Sequence, residues 1–117
     1  LMRSDVVSIH APLNDSTRNL INKSNLTHCK KNSIIMNMGR GGIVNEDDLA
    51  DALLQNKIHH AVLDVFEHEP LSKNSPLLDP NIASKVVLTP HIAWASVQAR
   101  QKLWALTISN IKTFIDE

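Results

Sequence analysis

Apolar positions in this chain fall into four short, nearly unbroken runs, separated by stretches of mixed polarity. The runs are Val6-Val7-Ser8-Ile9, Ser33-Ile34-Ile35-Met36-Asn37-Met38, Ala61-Val62-Leu63-Asp64-Val65-Phe66 and Val86-Val87-Leu88-Thr89. Continuous rather than alternating apolarity predicts strands buried on both faces. Leu20 to Lys31 carries a weaker helical period. A firmer helix follows Asn45, a good N-cap, with Asp48 three positions on as in a capping box. Glu46, Asp47 and Asp48 put negative charge at the positive end of its dipole. Leu49, Ala52 and Leu53 give it an i, i+3, i+4 apolar face, and it should end near Asn56. Glu69 to Pro80 reads as loop, with Pro70, Pro76 and Pro80 expected to break any regular element. Ser96 can cap a last helix, whose Trp104, Ile108, Ile111 and Ile115 line one long apolar face. Strands separated by helices, in the order β, α, β, α, β, loop, β, α, predict a mainly parallel sheet in an α/β fold.

Composition narrows the function classes. The 117 residues are enough for one core, and 43% apolar with 21% charged is the balance of an ordinary globular protein. Formal net charge is zero, so no basic excess steers nucleic acid or an anionic membrane. No apolar run approaches the roughly 20 residues of a membrane span. Cys29 is the single cysteine, which rules out an internal disulfide and fits a reducing compartment; a cytoplasmic location is expected. Adjacent His59 and His60 should point to opposite faces of a strand, and no His/Cys spacing resembles a zinc site. His28 and His68 follow no pattern. Leu1 to Asp5 runs into the first strand without any leader-like segment, as if the chain began inside a larger protein.

Ligands of open parallel sheets bind beyond the carboxyl ends of the strands. His10-Ala11-Pro12 follows the first strand, Gly39-Arg40-Gly41-Gly42 the second, Glu67-His68-Glu69-Pro70 the third and Pro90-His91 the fourth. Arginine, carboxylates and histidines therefore collect at one rim. All three glycines of the chain surround Arg40. Arg40 reads either as a surface arginine in a turn or as a planar fork for a carboxylate, with glycines that let backbone approach a ligand. The loop fits neither G-x-G-x-x-G nor a P-loop. His91 gains a catalytic reading if a carboxylate orients it, and Glu67 and Glu69 are both candidates. Trp94 either lines a pocket or packs.

The stretches "NMGRGGIVNEDDLADAL", "AVLDVFEHEPL" and "VVLTPHIAWAS", in this order, resemble the C-terminal part of the NAD-dependent D-2-hydroxyacid dehydrogenases. "SDVVSIHAPLNDSTRNLIN" resembles an earlier strand and loop of the same cofactor domain, so the resemblance covers essentially the whole chain. It implies a partial Rossmann-type sheet, the second half of an NAD-binding domain, over residues 1–92. Residues 93–117 would then form a helix returning toward a substrate domain. It implies catalytic roles for Arg40, which holds the substrate carboxylate, for the acid/base His91, and for Glu69, rather than Glu67, as the carboxylate paired with it. Ala11, Pro12, Met38, Gly39, Arg40, Asp64 and His91 would lie along the cofactor, with Asp64 beside the nicotinamide carboxamide.

"HIAWAS" resembles glycerate dehydrogenases, also called hydroxypyruvate reductases, whereas formate dehydrogenases of this superfamily carry glutamine in place of Glu69. The implied parent is a homodimer that moves a hydride between NAD(H) and a D-2-hydroxy or 2-oxo acid; NADP stays open. A second reading is a dinucleotide-sensing interaction protein akin to the corepressors that resemble this family. The glycine fingerprint for the pyrophosphate lies outside this sequence, since its three glycines are already placed, so the 117 residues alone are expected to bind NAD weakly and turn over poorly.

Overall fold

The computed structural model describes residues 1–116. Its centre is a four-stranded sheet, β1 (Val6–Ile9), β2 (Ile34–Asn37), β3 (His60–Leu63) and β4 (Val86–Leu88), in the order β1-β2-β3-β4. Every pairing is parallel, with Ile9 opposite Asn37, Asn37 opposite Leu63, and Leu63 opposite Leu88. Helices α1 (Lys23–Leu26) and α2 (Glu46–Leu54) fill the first two crossovers, and α3 (Val97–Asp116) follows the sheet. The expected α/β class and parallel sheet hold.

One rule of handedness places all the crossovers on the same face of the sheet. That face carries the core: Ile9, Ile35, Ala61 and Leu63 pack with Leu49, Leu53, Leu26 and Ile58. The other face is only partly covered, with Val6 52% and Val87 51% exposed. The first and last strands, expected to be buried on both faces, are therefore edges with one open face. Their apolarity describes what they could pack against, and nothing in these 116 residues covers them.

Local chemistry moved several boundaries. The helical stretch expected over Leu20–Lys31 is a single turn, because Asn22 and Asn25 bond each other's backbone as a capping box and Ile21 is drawn into a bridge with Val44. Asn45 caps α2 by accepting from Asp48 N–H. The reciprocal half of that box is missing, since the Asp48 carboxylate accepts instead from Lys23 N–H at 2.8 Å. Between β3 and β4 the expected loop contains two 3-10 turns, Pro76–Leu78 and Pro80–Lys85. Their prolines start these turns rather than break them, since a first-turn position needs no N–H donor. Leu77 and Ile82 anchor the turns in the core. Helix α3 forms as its apolar period predicts, with Ser96 Oγ accepting from Ala99 N–H, but every one of its residues is exposed.

Candidate active site

The site is built at the carboxyl ends of the strands, where three loops lock together. Asn37, the last residue of β2, is buried and turns its amide forward into the glycine loop. Its Oδ1 accepts from Gly39 N–H at 3.2 Å and its Nδ2 donates to the Arg40 carbonyl at 2.8 Å. Arg40 is exposed, and its Nη1 donates to the Gly39 carbonyl at 2.8 Å.

The glycines have structural jobs that the sequence did not reveal. A Cβ on Gly41 would sit 1.8 Å from the Phe66 carbonyl oxygen, and one on Gly39 would sit 2.7 Å from that of Ala11. Gly41 thus lets the Arg40 loop press on the loop after β3, and Gly39 lets it press on the loop after β1. Only Gly42 uses glycine's conformational freedom, with φ of 80°. The close approach expected toward a ligand is, at Gly39 and Gly41, an approach of one loop to another.

The loop so buttressed carries the carboxylate. Phe66 N–H donates to Glu69 Oε1 at 3.0 Å, while Glu69 Oε2 takes His91 Nδ1 at 2.8 Å. The imidazole donor and the backbone donor together hold the Glu69 carboxyl below its ordinary range. An ionised Glu69 can only accept, so Nδ1 carries the proton and Nε2 is the nitrogen left for a substrate. Glu67 pairs elsewhere, 3.6 Å from Arg18, which settles which glutamate meets the histidine.

His91 has φ of 55°, a left-handed conformation rare outside glycine. Asp64 holds it there. The Asp64 carbonyl accepts from His91 N–H at 2.9 Å. Its carboxylate, 1% exposed, accepts from the Thr89 hydroxyl, from Ile92 N–H at 2.9 Å and from Ala93 N–H at 2.8 Å. Burial alone would raise the Asp64 pKa, but those three donors outweigh it and leave the carboxyl below its usual value. Asp64 lies one residue past β3 rather than inside a strand. Trp94 stays 54% exposed and donates its indole N–H to the His91 carbonyl at 2.8 Å, a second tie on the same turn.

Two grooves open at this rim. One, about 590 Å³, is lined by His10, Ala11, Pro12, Leu13, Met38, Gly39 and Arg40. It gathers five of the residues expected along the cofactor and adds His10 and Leu13. The other, about 470 Å³, is lined by Glu69 and His91 together with Phe66, Leu71 and Leu88. Asn37, Thr89 and Phe66 escaped the reading of the sequence. For Asn37 a signal existed: an amide inside an apolar run needs a buried partner. His59 and His60, expected on opposite faces, have ring centroids 4.2 Å apart, because His59 precedes β3 instead of lying in it. Among the described residues no cluster of metal ligands occurs.

A parallel sheet with an arginine loop after its second strand and a carboxylate-oriented histidine after its fourth defines a domain of the nucleotide-binding α/β class. Residues 1–93 match the family model of the D-isomer specific 2-hydroxyacid dehydrogenase, NAD binding domain, and the chain belongs to that family. It is 38% identical over 115 residues to a hydroxypyruvate reductase of Blautia hydrogenotrophica, covering 98% of this chain and 35% of that protein. It is 44% identical over 114 residues to a glyoxylate reductase of Aeropyrum pernix, covering 97% of this chain and 33% of that one. The crystal structure of a D-isomer specific 2-hydroxyacid dehydrogenase from Xanthobacter autotrophicus Py2, in complex with NADPH and MES, superposes with a TM-score of 0.72 at 40% identity. That match covers 80% of this chain and 29% of the solved one. The chain spans about a third of the length of the curated relatives it matches.

Proposed function

We propose that this chain supplies the proton-transfer and carboxylate-binding residues of a nicotinamide-dependent dehydrogenase of about its relatives' length. The reaction interconverts a D-2-hydroxy acid and its 2-oxo acid, with glycerate and hydroxypyruvate as the pair. The observation that carries this reading is the His91–Glu69 pair, 2.8 Å apart, with Glu69 on the loop against which Gly41 packs the Arg40 loop.

The groove beside Arg40 suits a dinucleotide. Pro12, Leu13 and Met38 offer apolar walls for a flat ring, and Gly39 also lines the groove. Ala11, Pro12, Met38, Gly39, Arg40, Asp64 and His91 are the residues we assign to the cofactor, NAD or NADP. Asp64 reaches it through the turn it holds, its carboxylate being spent on Thr89, Ile92 and Ala93. When bound, the dinucleotide supplies or takes up the hydride.

The rest falls to side chains of this chain. Arg40 offers two parallel N–H donors to the substrate carboxylate and fixes the reacting carbon relative to His91. His91, with its Nδ1 proton held on Glu69, gives a proton from Nε2 to the 2-oxo oxygen and takes it back from the hydroxyl in the reverse direction. Arg40 also offsets negative charge as it grows on that oxygen. Residues 1–92 form the second half of a cofactor domain, and 93–117 lead toward a substrate domain. A cytoplasmic homodimer is the assembly we infer from the family resemblance.

The test is loss of NADH absorbance with hydroxypyruvate and with glyoxylate, in a dehydrogenase of the relatives' length that carries these residues. Turnover of hydroxypyruvate with the higher kcat/KM is expected. Absence of turnover with any 2-oxo acid overturns the reading. Calorimetry on the 117 residues alone should show no micromolar affinity for NADH.

A further inference from the structure

We propose that Asn37 is a positioning residue for Arg40; this rests on the substrate-carboxylate role of Arg40 given above. Asn37 occupies the last place of β2 and is 2% exposed. Its neighbours in register are Ile9 and Leu63, so packing alone would suit an aliphatic side chain there. A buried amide is tolerated only when its polar atoms are bonded. Both ends of this amide are satisfied, and both point ahead into the glycine loop rather than across the sheet.

The consequence for the guanidinium follows bond by bond. Asn37 Oδ1 fixes the amide of Gly39 and Asn37 Nδ2 fixes the carbonyl of Arg40. Arg40 Nη1 in turn rests on the Gly39 carbonyl at 2.8 Å. The guanidinium that would meet the substrate therefore rests on the Gly39–Arg40 peptide group, and Asn37 holds the peptide groups on either side of it. The same residue links this loop to the histidine. Asn37 carbonyl accepts from Asp64 N–H at 3.1 Å, and Asp64 carbonyl accepts from His91 N–H at 2.9 Å. Asn37 and Asp64 thus stand at adjacent strand ends as two rungs of one ladder, which ends at Arg40 on one side and at His91 on the other. Loss of the Asn37 donor should loosen Arg40 while leaving the His91–Glu69 pair, which sits on the Asp64 rung, in place.

Asn37→Asp keeps the shape and the acceptor but sets a carboxylate oxygen against the Arg40 carbonyl. In the full-length dehydrogenase it should lower kcat/KM for the 2-oxo acid by about tenfold or more, mainly by raising KM. The NADH dissociation constant should stay within about twofold, and the pH profile of kcat should not move. The decisive readout is the double variant. If Asn37 acts through Arg40, Asn37→Asp costs nothing further once Arg40→Ala has removed the guanidinium. An equal loss in both backgrounds would mean a general structural defect and overturns the proposal. Asn37→Ala, which removes the donor without adding charge, gives the same test if the aspartate variant does not fold. Should Arg40→Ala leave kcat/KM unchanged, the assignment of Arg40 itself fails, and with it this role for Asn37.

Discussion

His91 Nδ1 and Glu69 Oε2 lie 2.8 Å apart, although 22 positions separate the two residues in sequence. Both are held from the segment that follows β3. Glu69 hangs from Phe66 N–H beyond β3, and His91 from the Asp64 carbonyl, which reaches across to the turn beyond β4. The pair is therefore a property of the parallel register, and it defines the order in which substitutions should matter.

Replacing His91 with alanine should remove the proton carrier, lowering kcat by about 10²–10⁴-fold while NADH still binds. Glu69→Gln should cost less, because glutamine can still accept from Nδ1 but carries no charge to hold an imidazolium. Steady-state rates alongside NADH fluorescence titration check both. Full activity in His91→Ala would remove the histidine from the mechanism.

Asp64 should govern acid stability. Its carboxyl is depressed in the folded chain, below its ordinary value of 3.8, so its contribution is present above that value and is lost as pH falls below it. Asp64→Asn should therefore lower stability near neutrality and flatten the acid limb below pH 3.8. Thermal unfolding from pH 2 upward measures this, and an unchanged acid limb would contradict it.

Gly41→Ala should be the most damaging of the glycine substitutions, since the new methyl meets backbone, not a movable side chain, at 1.8 Å. The loops must part, at a cost of about 1–3 kcal/mol or more. Gly42→Ala should cost about 1–2 kcal/mol from its left-handed backbone alone. Urea unfolding of the two variants gives the order, and Gly41→Ala should also raise the KM of the 2-oxo acid by moving Arg40 away from the loop that carries Glu69.

The 117 residues on their own should self-associate. Along α3, Trp104 is 66% and Ile115 72% exposed, and the uncovered sheet face adds Val6 and Val87. Sedimentation should show species larger than a monomer, and Ile108→Lys with Ile111→Lys should shift them toward the monomer. A clean monomer with no dye binding to apolar surface would be the opposite result.

Much of this was legible along the chain. Apolar runs located all four strands, since a parallel strand packed in a core has no polar face to interrupt it. Asn45 and the acidic turn after it marked α2. The rim chemistry was legible because loops after parallel strands share one edge, whatever the details of packing. The length of α1 was not, because side-chain bonds of Asn22 and Asn25 compete locally with helix propagation and leave no trace in apolar spacing. Nor were the 3-10 turns at Pro76 and Pro80, where proline can start a turn as readily as end one.

What the sequence by itself determined is the inventory and its order: four strands, a glycine-flanked arginine, two candidate glutamates, a histidine after a proline. Only the tertiary structure decided the pairings. It gave Glu69 to His91 and Glu67 to Arg18, assigned Gly39 and Gly41 to contacts between loops, and turned Asn37 and Asp64 from residues of apolar strands into the clamps of the site. The reason is physical. Apolar burial is non-directional and can be read from composition along a segment. A hydrogen bond between residues far apart in sequence depends on angles and distances that exist only once the strands are in register.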